Sequence, residues 1–321
     1  FPFIGECPAI QKVREQISRL ASVDEDLFLI GETGTGKEVA ANYYYINTKR
    51  FGKPFHTVNC SALTESLIES ELFGHLKGSF TNADRSKTGF FEECSQGLLF
   101  LDEVTNLSLI AQSKILRAIE NKEIQVVGGN LIKVDTRLIF ASNAGLDKLS
   151  DPNLFRKDLF YRIEGNIVQL PPLRDRDDDI LLLMSYFFTS FSSQYSTIDE
   201  LDLPAMKGDL LDYPWPGNIR ELRNFCKFVM INEKKLSNSV ILKHLKHKIT
   251  HQQTDDEQDV DKYVNIPFLK DSVAAFERDY LLHHLALNSW RVSQTAKNIG
   301  IERTTLYKKM KALDINPLPE G

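Results

Sequence analysis

The stretch Leu27-Phe-Leu-Ile-Gly-Glu-Thr-Gly-Thr-Gly-Lys-Glu38 restricts this chain more than any other. Four apolar residues give way to Gly31, Gly34 and Gly36, then to Lys37, and a helical pattern resumes through Val39, Ala40 and Tyr44. That order of strand, glycine loop and helix is a phosphate-binding P-loop. Glycines are needed because backbone N–H groups must turn inward around phosphate oxygens, where a Cβ would clash or forbid the required φ. The cradle is therefore Gly31, Glu32, Thr33, Gly34, Thr35 and Gly36, with Lys37 as a point charge for the β and γ phosphates. A glycine-rich turn without a ligand is the plainer alternative, but spacing, residue type and flanking elements all agree on the phosphate site. Glu38 stands where a Ser or Thr hydroxyl usually reaches magnesium, so the metal has to lean on a carboxylate elsewhere.

That carboxylate is supplied by Gly97-Leu-Leu-Phe-Leu-Asp-Glu103. Its apolar residues suit a strand buried on both faces of a parallel sheet, and two carboxylates emerge at its end. Asp102 is placed to hold Mg2+, directly or through water, and Glu103 to orient or deprotonate the attacking water. Further strands are read at 54–59, ending in Asn59, at 136–142, followed by Asn143, and at 166–170, stopped by Pro171-Pro172. With the two above, these make five, separated by helical patterns. The fold class is α/β with a five-stranded parallel sheet joined by right-handed crossovers. Residues 62–73 read as a helix leading into Gly74-His-Leu-Lys-Gly-Ser-Phe-Thr-Asn-Ala83, an exposed loop tip that composition alone favours as an ordinary surface turn, and residues 180–245 as a small all-α subdomain.

The 321 residues, 42% hydrophobic, suffice for two or three domains. No apolar run approaches the roughly 18 residues of a membrane span. Cys7, Cys60, Cys94 and Cys226 stand too far apart for a zinc motif or a disulfide framework, which suits reduced thiols in a cytoplasmic protein. The chain starts at Phe1 with Ile4-Gly5-Glu6 already reading as a domain entrance, so a fragment lacking an upstream regulatory domain is expected. Residues 251–262 are polar and acidic without periodicity, as in a solvated linker.

The net charge of −5 does not suggest nucleic acid, yet the charge is uneven. Arg291, Lys297, Arg303, Lys308, Lys309 and Lys311 face only one acid, Glu302, over that span. Three apolar stripes precede and fill this region: Val273, Phe276, Tyr280, Leu281 and Leu285; Val292, Ala296 and Ile299; Leu306, Met310 and Leu313. Gly300 separates the last two where a helix-turn-helix needs its turn. The final helix opens at Glu302-Arg-Thr-Thr305, so the small hydroxyls of Thr304 and Thr305 and the guanidinium of Arg303, followed by Lys308, sit at the end that would enter a major groove, although helical hairpins with basic faces are common without DNA.

These residues together resemble the bacterial enhancer-binding, NtrC-like AAA+ activators of sigma-54 RNA polymerase, over almost the whole chain, Ile4 to Ile315. Residues 31–38 are similar to that family's GESGTGKE loop, glutamate included. Glu71-Leu-Phe-Gly-His75 and Gly78-Ser-Phe-Thr-Asn-Ala83 resemble its ELFGH lead-in and GAFTGA loop.

The resemblance implies an AAA+ α/β subdomain at 1–172, an α-helical lid at 173–247, a linker at 248–266 and a Fis-type helix-turn-helix domain at 267–321. It implies Phe80 and Thr81 as sigma-factor contacts, and Asn59 as the residue coupling nucleotide state to Glu103. Arg156 and Arg162 become fingers reaching a neighbouring subunit's ATP. Arg220, within Trp215-Pro-Gly-Asn-Ile-Arg220, becomes a lid residue near the γ-phosphate, and Asn143 a sensor. The implied activity is ATP hydrolysis with Mg2+ in a hexameric or heptameric ring built from DNA-binding dimers, acting on an upstream enhancer site of double-stranded DNA and on sigma-54 polymerase. The chain departs from the pattern at Ser79, Asn82, Asn153 and Lys157. A second reading keeps the fold and the DNA binding but regulates by occupancy alone. A replication or protein-unfolding motor of the AAA+ class is disfavoured by the linker and the Fis-like unit.

Overall fold

A computed structural model describes residues 2–62, 64–80, 83–191, 203–232, 269–288, 290–313 and 315. The chain divides into two compact units, Phe1–Ile241 and Leu242–Gly321.

The first unit holds a parallel sheet in the order β2-β3-β6-β1-β7, made of β1 (Leu27–Ile30), β2 (Phe55–Asn59), β3 (Leu98–Asp102), β6 (Arg137–Ser142) and β7 (Ile167–Gln169). All five expected strands are present. The three central ones are buried nearly end to end because helices cover both faces. Alternation along β1 shows this: Leu27 and Leu29 pack with α1 (Pro8–Ser22) and α2 (Lys37–Asn47), whereas Phe28 and Ile30 pack with α3 (Glu65–Phe73), α5 (Leu109–Asn121) and α7 (Lys157–Ile163). Between these lie two one-turn helices, α4 (Phe90–Glu93) and α6 (Leu146–Leu149).

Two features go beyond the sequence reading. An antiparallel ribbon, β4 (Glu123–Gln125) with β5 (Leu131–Lys133), stands apart from the main sheet. Helix α3 starts at Glu65, later than the pattern from Ala62 suggested, because Asn59 Oδ1 accepts hydrogen bonds from Ser61 N (2.9 Å) and Ser61 Oγ (2.7 Å), a local turn that competes with helix.

Among the described residues of the stretch read as all-α, 180–245, three helices are present, α8 (Asp179–Phe191), α9 (Leu203–Asp212) and α10 (Asn218–Asn232), while 192–202 and 233–245 lie outside the described residues. Trp215, fully buried, donates through Nε1 to Leu210 O at 2.8 Å and packs edge-on against Tyr213 and Phe225, which fixes the turn into α10. The expected linker, 248–266, lies outside the described residues.

The second unit contains α11 (Leu269–Leu287), α12 (Val292–Asn298) and α13 (Arg303–Ala312). Leu281, Leu285, Val292, Ala296, Leu306 and Met310 form its core. The five apolar residues expected as one stripe on α11 do not share a face. Leu281 and Leu285 face inward, but Val273, Phe276 and Tyr280 are 54%, 55% and 43% exposed. At 3.6 residues per turn these are two faces of one helix about 100° apart, which apolar spacing alone does not separate. Gly300, at φ +74, makes the turn between α12 and α13.

Candidate functional site

The carboxyl ends of the strands and the lid enclose a cleft of ≈ 430 Å3. Residues 33–38 of the glycine loop line it, with Asn59, Asp102, Glu103 and Arg220. The loop and the lid are in intimate contact. Gly34 O accepts a hydrogen bond from Ile219 N at 2.9 Å, and a Cβ on Gly34 would lie 2.3 Å from Gly217 O, so only glycine permits this approach. Asn218, fully buried, donates to Thr33 O (3.0 Å) and Glu32 Oε2 (3.1 Å) and accepts from Leu173 N (2.7 Å). Glu32 is also held by Arg174 at 2.6 and 3.0 Å, and that contact keeps its carboxyl below the ordinary value. Neither Asn218 nor Arg174 was visible as a site residue in the sequence, since both pair with positions more than 140 residues away.

Lys37 Nζ donates to Gly31 O (2.7 Å) and Glu32 O (3.2 Å). Burial pulls its pKa down, and the charges of Asp102 and Glu103 oppose that. Burial likewise pushes the Asp102 carboxyl up, with Lys37 pulling it back. A lysine and a carboxylate that each resist desolvation, side by side in one cleft, suit a polyanion and a cation arriving together.

Glu103 sits in left-handed backbone at φ +56, a conformation that costs a non-glycine residue about 1–3 kcal/mol and is concentrated at functional positions. Its amide donates to Asp102 Oδ1 at 3.0 Å, and its carboxylate accepts from Asn106 Nδ2 at 3.2 Å. Asn106, four residues beyond the strand, is a partner the sequence reading missed. Asn59 stands beside Asp102 in register between β2 and β3, with its Oδ1 occupied by Ser61.

Five of the nucleotide-directed residues are not among those lining this cleft: Gly31 and Glu32 at the start of the loop, and Asn143, Arg156 and Arg162 beyond it. Asn143 is exposed just past β6. Arg156 makes a two-pronged pair with Asp158 on the surface, at 3.0 and 2.6 Å, and Arg162 is exposed on α7.

The loop after α3 is fastened at its base. His75 and Lys87 exchange backbone hydrogen bonds at 2.9 and 2.8 Å, and the segment between β4 and β5 joins them through Leu76 N to Val127 O (3.0 Å) and Val127 N to Gly74 O (3.0 Å). Ser70 Oγ and His75 Nδ1 share a hydrogen bond of 2.7 Å. Against the ring so held, Phe80 packs edge-on at 5.0 Å and is 39% exposed. Thr81 and Asn82 lie outside the described residues.

In the second unit, Arg303, Thr304 and Lys308 are exposed on α13, and Thr305 is half-buried. Arg303 lies over the Tyr307 ring at 5.6 Å, and Lys309 is paired with Glu277. Among the described residues no helix is long and apolar enough to cross a membrane, and no group of three or more His, Cys, Asp or Glu side chains could hold a metal by itself.

Residues 3–169 match the Sigma-54 interaction domain family, residues 174–262 the AAA+ ATPase lid domain, and residues 272–313 the bacterial regulatory protein, Fis family. The chain is 36% identical over 313 residues to the regulatory protein AtoC of Escherichia coli (strain K12), spanning 97% of this chain and 67% of AtoC. Identity is also 36% over 336 residues to the DNA-binding transcriptional regulator NtrC of Azospirillum brasilense, spanning 98% and 70%. The crystal structure of NtrX from Brucella abortus in complex with ATP is similar with a TM-score of 0.68 at 30% identity, covering 97% of this chain and 68% of that one.

Proposed function

The chain belongs to the NtrC-like, sigma-54-dependent transcriptional activators, and from that premise we propose that it is a ring-forming ATPase that remodels the closed promoter complex of sigma-54 RNA polymerase while bound to an upstream enhancer site on double-stranded DNA. The observation that carries this reading is the convergence of Lys37, Asp102 and Glu103 in one cleft closed by the lid. Backbone amides of residues 31–36 and the Lys37 ammonium receive the phosphates, and Arg220, close enough to Lys37 to lower its pKa, adds charge from the lid. Glu103, held by Asn106, takes the proton of the attacking water.

Asp102 fits magnesium. A single carboxylate at the strand end matches an ion that keeps water and takes its other ligands from phosphates. Bound there, Mg2+ would neutralise charge on the β and γ oxygens.

Arg156 and Arg162 act on the ATP of the neighbouring subunit, a role supported by their position outside their own cleft. Asn143 and Asn59 report nucleotide state from the ends of β6 and β2. Phe80 and Thr81 are the sigma-54 contacts, and the base-pinned loop that carries them transmits the change. A promoter-bound polymerase isomerisation assay with ATP tests the whole reading: ATP-dependent open complexes are expected, and ATP turnover without them would leave regulation by occupancy.

The altered loop separates those two readings. Asn is among the non-glycine residues that best tolerate left-handed φ, so Asn82 is a mild replacement for the family's glycine. Asn82→Gly is expected to leave open-complex formation intact or improved, and Phe80→Ala to abolish it, both read by strand-melting footprints. Unchanged transcription in Phe80→Ala, alongside lost regulation in DNA-binding variants, would replace remodelling by occupancy.

On DNA, a dimer reading two half-sites about one helical turn apart is expected. The outward-facing Val273 and Tyr280 of α11 support association of two copies of this unit. Arg303→Ala should cost roughly 1–3 kcal/mol in binding if the guanidinium reads a base. Gel titration on the operator and on a scrambled duplex checks this, because an equal loss on both makes Arg303 a phosphate contact.

A further inference from the structure

Beside its polar groups the cleft is lined by apolar side chains, among them Phe3, Ile4, Val39, Leu183, Tyr186 and Phe187. Arg176 also lines it, although its side chain is fully buried. Two of its three nitrogens are spent on a clamp. Nε and Nη2 reach Asp179 Oδ2 at 3.3 and 3.4 Å, and Nη2 donates to Ile4 O at 2.7 Å. Asp179, itself buried, turns its other oxygen to the leading segment of the domain, where Oδ1 accepts from Glu6 N (2.6 Å) and Cys7 N (3.1 Å). Burial pushes the Asp179 carboxyl up, but those amides and the guanidinium outweigh it and hold the group below its ordinary value. The packing is tight enough that a Cβ on Gly5 would lie 2.6 Å from Asp179 Oδ2 and 2.7 Å from Arg176 Nη2. Asp179 thus ties the lid to residues 4–7 and fixes the guanidinium with both its oxygens engaged.

The third nitrogen, Nη1, is buried and has no hydrogen-bond partner among the described residues. The clamp does not use it. A buried N–H left unpaired forfeits its hydration with nothing in return, more so on a charged group, and such a donor beside a cavity is satisfied when a ligand brings an acceptor. The apolar lining of a nucleotide cleft suits the base, whose ring nitrogens are acceptors in an otherwise apolar plane.

We propose that Arg176 Nη1 donates a hydrogen bond to a purine ring nitrogen of the bound nucleotide, making Arg176 the base-sensing residue of this chain, with Asp179 and Gly5 as its positioning partners. The proposal rests on the nucleotide reading above and adds a consequence to it. The same guanidinium holds Ile4 O, so base recognition and the seating of residues 4–7 against the lid share one side chain.

Calorimetric titration of the whole chain with ADP and with 1-deaza-, 3-deaza- and 7-deaza-ADP tests this without altering the protein. One analogue should bind about tenfold more weakly than ADP, the size of one hydrogen bond from a charged donor, while the other two stay within about twofold. In Arg176→Lys, which keeps a cation for Asp179 but lacks the fork, that analogue and ADP should bind alike. Three analogues that all match ADP would overturn the inference and leave the nucleotide site standing, and so would a weak analogue that stays weak in Arg176→Lys. Should Arg176→Lys fail to fold, as judged by its melting curve, the analogue series on the unaltered chain decides alone. Failure of ADP itself to bind would remove the nucleotide reading and this inference with it.

Discussion

Glu103→Gln is expected to bind ATP as the unaltered chain does and to hydrolyse it about 10² to 10⁴ times more slowly, the usual worth of a general base. The amide keeps the shape of the carboxylate and can still meet Asn106, so the loop and the left-handed backbone at this position are undisturbed. What is lost is the ability to accept a proton. Lys37→Ala should behave differently, losing affinity itself, because Lys37 supplies charge to phosphates that the loop amides alone hold less well. Equilibrium binding of a fluorescent ATP analogue and phosphate release, measured on both variants, check the pair. Near-normal turnover in Glu103→Gln would remove the glutamate from its role, and wild-type affinity in Lys37→Ala would undo the assignment of the loop.

Arg156→Ala and Arg162→Ala should each lose turnover on the scale of a trans arginine, about 10³ to 10⁵. Both residues stand away from the cleft of their own chain, and on the proposed trans role a second protomer would complete the site. Arg156 must first leave Asp158. That pair is exposed on both sides, and exposed pairs are worth little, so the exchange is cheap. Two measurements follow from geometry. Hydrolysis should rise more steeply than linearly with protein concentration, and a mixture of Lys37→Ala with Arg162→Ala should recover part of the activity that neither has alone. Full activity of a monomer at high dilution would contradict the assignment.

How far the sequence carried the reading depended on the range of each contact. Strands β1, β3 and β6 are continuous apolar runs because helices bury both faces, and such runs are legible without any partner in view. Glycines before a lysine, or two carboxylates at a strand end, are local patterns with local causes. The ribbon of β4 and β5 has three residues in each strand, too few for a period to show. Helix α1 does carry a signal, in Pro8 at its first turn and in Ile10, Val13, Ile17 and Leu20, but no chemistry that would single it out. Asn218, Arg174 and Arg176 were silent because what makes them part of the site is a partner brought by the fold, on the far side of the sheet's whole connectivity. On α11 the failure had another cause: a stripe of apolar residues says that a face wants cover, and leaves open whether the same chain supplies it.

The join between the glycine loop and the start of α10 also dictates an order of events during synthesis. Asn218 bonds to Glu32 and Thr33 across separations of 186 and 185 residues. Strand β1 can find β6 and the first layer of core can close while the lid is still being translated, since domains gather from the N-terminus as the chain emerges. The phosphate loop cannot reach its final shape then, because the backbone of Ile219 that ties to Gly34 O has not yet been made. Closing so long a loop is entropically costly only once, and slowly growing with length, but it comes last. On the proposed nucleotide reading, a nascent chain of this protein is therefore expected to have its sheet before its cradle is complete, and to hold ATP fully only after the lid has left the ribosome.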